Sequence, residues 1–417
     1  MLEVKGFHGF RFAAEKVGTL DDVLTPPWDV ITPEDRRVLI ERSPYNMAHV
    51  LLPDAEGGRT RYKAAGRDLE SWITDGALRQ DQSDSFYLLE QEFADLDGYI
   101  HTRRGFFGVT RLPEPGQRLV LGHERTFSGP TEDRLRLIEA TRANLGPVFV
   151  LYADPENELG PFLDQTEQGP PNDEVQTYDG VIQRIWQVPH DDAVTAFFRD
   201  KKLYIADGHH RFHTAGVYRD AMRARELPDG PRPYDYVLMG FVALTDPGLQ
   251  IYPPHRLAPI PEDFRASTFL ADLKRWFEVR SVEEDFPSRV KAQSGCTIGV
   301  AINGIGDYLL TLRDIDRTKM LGEDHGPAWR NLDVVVLHRG IIEGILGFPE
   351  DTQFVYEHDA GKALQAIRRG DYGLAFLLKA VQSEEVCACA EAGDPMPQKS
   401  TYFSPKLPSG AVIHRLV

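Results

Sequence analysis

The run Ile205-Ala206-Asp207-Gly208-His209-His210-Arg211 sets a carboxylate, a glycine, two imidazoles and a guanidinium side by side after a short apolar segment. A glycine at such a point lets backbone approach a ligand, and a helix opening there turns its first N–H groups and positive dipole end to the same spot. Together these features describe an anion site. Arg211 would give paired donors to a phosphate, and His209 and His210 would add donors that depend on protonation. The spacing is neither that of a P-loop nor that of a dinucleotide-binding glycine fingerprint. The structural alternative is a strand-to-helix turn with Asp207 as N-cap and two surface histidines.

A second segment, Leu121-Gly122-His123-Glu124-Arg125-Thr126, puts an imidazole and a carboxylate in a loop before a helix. A positioned carboxylate can take the proton from a hydroxyl as that hydroxyl attacks phosphorus, so Glu124, with His123 beside it, is the candidate general base. The alternative is a solvated loop. Pro254-His255-Arg256 could set one imidazole and one cation over a cleft, or Arg256 could pair with a surface carboxylate. Asp29 and Asn46 could bind a metal-associated water or a substrate ammonium, although Pro26-Pro27-Trp28-Asp29 also reads as a rigid turn. Lys399, Ser400 and Thr401, with Lys406, form a polar loop suited either to phosphate or to solvent. No residues stand at metal-ligand spacing: Cys296, Cys387 and Cys389 read as packing residues, His101 and His325 as structural or surface residues, and His338 as a core histidine.

The elements that must hold these residues follow from period and punctuation. Thr32 caps a helix with Pro33 at its first position, 60–77 is helical, and 85–109 is a hairpin pair around Asp97-Gly98. Leu135, Ile138 and Leu145 predict a helix over 132–145, stopped by Gly146-Pro147. Val148–Tyr152 and Leu203–Ala206 are apolar strands, the second feeding a helix that runs to about Arg225. Apolar residues from Val334 to Ile345 recur at helical spacing, with Asp333 as cap and Gly347 at the end. The expected class is α/β, α+β overall. Two regions are expected: 1–258, a core with an N-terminal elaboration and an insertion, and 259–417, a C-terminal α+β region.

Composition limits the partners. The 417 residues carry 47 Lys+Arg against 64 Asp+Glu, a net charge of −17, so a nucleic-acid backbone would be repelled. Apolar runs fall far short of the ~20 residues that span a bilayer, and the first residues lack a signal-peptide core. Sparse cysteine fits a reducing, cytoplasmic setting. The expected partners are therefore small molecules, with neither nucleic acid nor membrane, and a homo-oligomer is compatible with the sequence.

The 207–211 turn resembles the D-G-H-H-R turn of the ParB/sulfiredoxin-like superfamily, whose free serine kinases, partition proteins and sulfiredoxins use it to hold nucleotide phosphates. The 121–126 segment is similar to the L-x-P-H-E stretch of the serine kinases, whose glutamate takes the substrate proton; Gly122 stands where that pattern has proline. Across nearly the whole chain, the sequence is identified as a member of the bacterial and archaeal family of unknown function numbered one thousand and fifteen. The segments that carry this are Pro26–Ile31, Tyr45-Asn46, His123–Thr126 with Glu132-Asp133-Arg134, Ala143-Asn144-Leu145, Pro254-His255-Arg256 and Met396–Lys406. The resemblance implies a ParB/sulfiredoxin-like nucleotide-binding core with a large insertion. It also implies transfer of a phosphoryl group between ATP or ADP, with Mg²⁺, and a small hydroxylated metabolite, free L-serine first among them. The alternative is a nucleotide-binding regulator without turnover, and a phosphoester hydrolase ranks below both.

Overall fold

A computed structural model describes residues 1–54, 58, 60–349 and 352–417. The chain is a mixed α/β protein of two compact units. The first comprises 1–122, 126–249 and 405–417, and the second comprises 123–125 and 250–404. The division after Leu249 differs from a cut at 258/259, because the strand His255–Ala258 pairs with Leu374–Leu377 and Val355–Glu357 in the second unit.

The first unit is built on a nine-stranded mixed sheet. Its order is Val120–Leu121, Leu203–Asp207, Val148–Tyr152, Tyr236–Ala243, Ile100–Arg111, Ser85–Ala94, Ile182–Pro189 and Asp173–Gln176, with Val4–Lys5 paired to Ile100–Arg111. Leu203–Asp207 runs parallel to Val120–Leu121, and Tyr236–Ala243 parallel to Val148–Tyr152. Leu203–Asp207, Val148–Tyr152 and Tyr236–Ala243, inside the sheet, read as near-continuous apolar runs because both faces are covered. Phe106 stacks on Phe241 at 4.7 Å, and Phe86, Val150, Phe198 and Ile205 fill the same core.

The expected helix over 132–145 is observed as Ser128–Thr141. Arg142 turns left-handed at φ 47°, and Ala143–Asn144 then pairs with His414–Arg415. The pairing partner lies at the far end of the chain, and it takes Leu145 out of the helix that its spacing predicts. The helix after Leu203–Asp207 spans His209–Glu226, and its cap is Gly208 rather than Asp207. Thr32 caps Pro33–Arg42 through a reciprocal box with Asp35, as the sequence predicts.

In the second unit a fully antiparallel six-stranded sheet runs Phe277–Val282, Gly306–Leu312, Thr297–Ile302, Leu374–Leu377, His255–Ala258, Val355–Glu357. Phe286, Val290, Ala363 and Ile367, from the helices Phe286–Lys291 and Ala360–Arg369, pack with Leu257, Ala301 and Leu377 of the sheet. The helix expected from Val334 begins as Asp333–Val335 and widens into a π-helix over Val336–Glu343. Leu332 is its cap, and Asp333 instead faces Lys379 at 3.6 Å. Cys296 and Cys389 are buried and Cys387 half-buried, all as free thiols. Among the described residues, no helix is long and apolar enough to cross a membrane.

Candidate functional site

Strand Leu203–Asp207 carries a bulge where it pairs with Val148–Tyr152: Ile205 opposes Val150, yet Asp207 opposes Phe149. The extra residue bends the strand as it leaves the sheet, a device often found beside functional sites. Gly208 follows at φ 90°, in the left-handed region that disfavours side chains. A Cβ there would sit 2.8 Å from Arg211 Nε and 2.9 Å from its Cζ, so the guanidinium lies flat against the glycine.

The Asp207 carboxylate joins the turn to the end of the chain. Lys406 Nζ donates to its Oδ1 at 2.7 Å, and Arg211 Nη2 donates to its Oδ2. Burial alone would raise the Asp207 pKa, but Lys406 and Arg211 outweigh it and hold the carboxyl well below the usual range. Arg211 Nη1 meanwhile donates to the Pro147 carbonyl. Each terminal nitrogen thus commits one of its N–H groups to a structural contact, and together these fix Asp207 against the Pro147 carbonyl.

His209 is buried beneath Gly122, where a Cβ would come within 2.8 Å of the imidazole Cδ2. This close approach gives position 122 its own requirement for glycine. Burial pushes the His209 pKa down to about 4, so the ring is neutral at neutral pH. His210 is half-buried, its Nδ1 3.5 Å from Thr131 Oγ1 in the first turn of the neighbouring helix.

Lys406 is itself held from behind. Gln91 Nε2 donates to the Lys406 carbonyl at 3.1 Å, and Arg103 Nη2 to the Pro405 carbonyl at 2.5 Å. Arg103 is fully buried over the Phe149 ring at 4.8 Å. Neither the Lys406 pairing nor this support was visible in the sequence beyond the bare presence of a lysine in a polar segment.

The N-terminal candidates separate. Asn46 is buried and spent on structure, its Nδ2 donating to the Asp22 carbonyl at 2.6 Å and its Oδ1 accepting from Ala48 N at 2.9 Å. Asp29 is exposed on the short turn Trp28–Val30. Trp28 stacks under the Arg134 guanidinium at 4.5 Å, and both line a cavity of about 50 Å³ with Asn144, Gly146 and Arg211. Segments far apart in sequence thus meet next to the 207–211 turn, around space for a few waters.

In the second unit His123 is 1% exposed, with Nε2 3.1 Å from Thr401 Oγ1 and its carbonyl accepting from Met396 N at 2.8 Å. Glu124 follows it, half-buried in the loop. His255 is buried, and its Nδ1 accepts from Leu378 N at 3.2 Å. Burial, reinforced by Arg256, pushes the His255 pKa down to about 3. Arg256 is fully buried; it donates to the Pro254 and Lys399 carbonyls and, through Nε at 3.1 Å, to His338 Nε2. Neither residue lies over an open cleft or on a surface ion pair; their polar atoms hold the backbone together inside the unit. The Lys399 side chain is exposed, and Ser400 Oγ donates to the Pro397 carbonyl at 2.6 Å.

The chain belongs to the family described as "Protein of unknown function (DUF1015)", whose model matches residues 4–335. No curated protein matches it. Among solved structures it is similar to a conserved hypothetical protein from Pyrococcus furiosus, at 14% identity and TM-score 0.33, covering 70% of this chain and 90% of that one. It is similar also to a free serine kinase in complex with AMP, at 12% identity and TM-score 0.34, covering 68% and 83%. A third is SbnI with a C-terminal truncation from Staphylococcus aureus, at 13% identity and TM-score 0.35, covering 69% and 81%.

Proposed function

We propose that this protein is a nucleotide-dependent phosphotransferase acting on a small hydroxylated metabolite, free L-serine first among the candidates. The observation that carries the reading is the 207–211 turn: a bulged strand, a left-handed glycine and an 18-residue helix, with Asp207 held between Arg211 and Lys406. A helix start of this kind receives phosphate oxygens on backbone N–H groups. A neutral His209 and the adjacent His210 supply ring nitrogens at the same end of the helix. The role of general base, taken from the serine-kinase resemblance of segment 121–126, belongs to Glu124, with His123 beside it.

The donor set does not fit a metal held by the protein alone. Among the described residues no three of His, Cys, Asp or Glu form a metal-holding group, and each Asp207 oxygen already meets a cation. Mg²⁺ would arrive as the nucleotide complex, as it does where substrate phosphates supply most of its ligands. The same neutralised Asp207 favours the second reading, a nucleotide-binding regulator without turnover.

The test mixes protein, Mg²⁺, ATP or ADP and L-serine, and follows phosphoserine by mass spectrometry. Nucleotide binding is measured in parallel by calorimetry. Product supports the kinase reading, binding without product from any hydroxylated acceptor supports the regulator, and absence of binding removes both.

A further inference from the structure

The helix His209–Glu226 has the candidate phosphate turn at one end and a second cavity along its other half, of about 650 Å³. Tyr218, the first residue of this helix to line it, lies nine residues beyond His209, about 13 Å along the axis. The cavity is therefore separate from the turn, and its volume is in the range of small-molecule sites.

Its lining carries charge of both signs. Arg142, Arg225 and Arg232 come from three different segments, and the side chains of Arg142 and Arg225 make no hydrogen bond or ion pair among the described residues. Against them stand Glu139 and Glu226, the latter accepting from Tyr234 Oη at 3.0 Å. Two helices, Ser128–Thr141 and His209–Glu226, also end here, and helix C-termini attract positive charge. Complementing those helix ends accounts for Arg142, which caps the first, and for Arg225 in the last turn of the second, but not for Arg232, which lies outside both helices.

Tyr218 is 4% exposed and lines the cavity, and its hydroxyl has no hydrogen-bond partner among the described residues. The hydroxyl oxygen is not sealed from solvent and so opens onto the cavity. Burial raises its pKa, so it is a donor at neutral pH. Met222 and Leu416 supply apolar wall.

We infer that this cavity binds a zwitterion of the amino-acid type with a large apolar side chain. The ligand carboxylate would meet the arginines and the Tyr218 hydroxyl, and its ammonium the glutamates and helix-end carbonyls. A simple anion would leave the acidic half of the lining unmatched, and a simple cation would leave the arginines unmatched.

The experiment titrates the full chain with L-phenylalanine, L-tyrosine and L-leucine by calorimetry, with 3-phenylpropanoate and phenethylamine as probes lacking the ammonium or the carboxylate. At least one amino acid should bind about tenfold or more tighter than both truncated probes, the scale of one lost charged hydrogen bond. Arg225→Ala and Arg142→Ala should each weaken it by a similar factor, and Tyr218→Phe severalfold. Asp207→Asn, at the other end of the helix, should leave it unchanged. Because Arg225 is exposed, its variant should keep the wild-type melting temperature, which separates lost binding from lost fold. Absence of binding by all three amino acids, equal binding of a truncated probe, or undiminished affinity in the arginine variants would overturn the proposal.

Discussion

Lys406 Nζ lies 2.7 Å from Asp207 Oδ1 across 199 residues of chain, with the lysine side chain 9% and the aspartate side chain 13% exposed. Removing one partner of such a pair leaves the other buried and less compensated, which typically costs about 3–5 kcal/mol. Arg211 remains on Asp207, so Lys406→Met should fall at the low end, about 3 kcal/mol by urea denaturation. The double variant with Asp207→Asn should cost less than the sum of the singles. Strict additivity would show that the pair contributes nothing as a unit.

Gly208→Ala tests the turn itself. A non-glycine residue at this left-handed position costs about 1–2 kcal/mol, and the new methyl would also push the Arg211 guanidinium off the glycine face. We expect a loss of at least about 1 kcal/mol in stability together with weaker nucleotide binding. A variant matching wild type in both would remove the turn from the candidate site.

Acid should destabilise the protein well above the carboxylate range. Burial pushes His209 and His414 down to about 4, and His255 and His338 down to about 3. Unfolded histidines titrate near 6.5, so from about pH 6.5 down to 4 the unfolded chain binds protons that the folded chain refuses, and stability falls as pH falls. Each such imidazole contributes a slope approaching about 1.4 kcal/mol per pH unit inside that window. Asp207 adds to this lower down: its folded pKa is depressed, so its contribution is present above about pH 4 and lost below it. Urea midpoints measured from pH 7.5 to 5 should drop steadily, and less steeply in His338→Gln. A flat profile would mean these rings are accessible to protons.

Glu124→Gln keeps the shape of the side chain but cannot accept a proton. If Glu124 is the base, nucleotide affinity should be retained while turnover falls by about 10²–10⁴. Equal turnover in the variant would move the base elsewhere, with His210 and Asp29 next to be replaced.

Gly122→Ala should displace the His209 ring, which a Cβ at 122 would approach to 2.8 Å. Weaker nucleotide binding is expected, and intact binding would show that the His209 position is not used.

By itself the sequence determined the local grammar. The Thr32 cap, the hairpin around Asp97-Gly98, the strand at 203–206 and the helix that follows it were all legible, because caps, turn residues and apolar period act over a few neighbours. The resemblance of 207–211 to a phosphate-binding turn was legible in the same way. What only the tertiary structure decided is which polar atoms were already spent. Asn46, His255 and Arg256 carry chemistry-bearing groups in the sequence, yet each is buried and holds backbone. Arg211 commits one N–H of each terminal nitrogen to Asp207 and Pro147. The helix predicted to reach Leu145 stops at Thr141 because a strand from the far end of the chain pairs with Ala143–Asn144. Burial and pairing over such separations depend on how loops close and cores fill, so spacing in a single sequence carries no trace of Lys406 reaching Asp207.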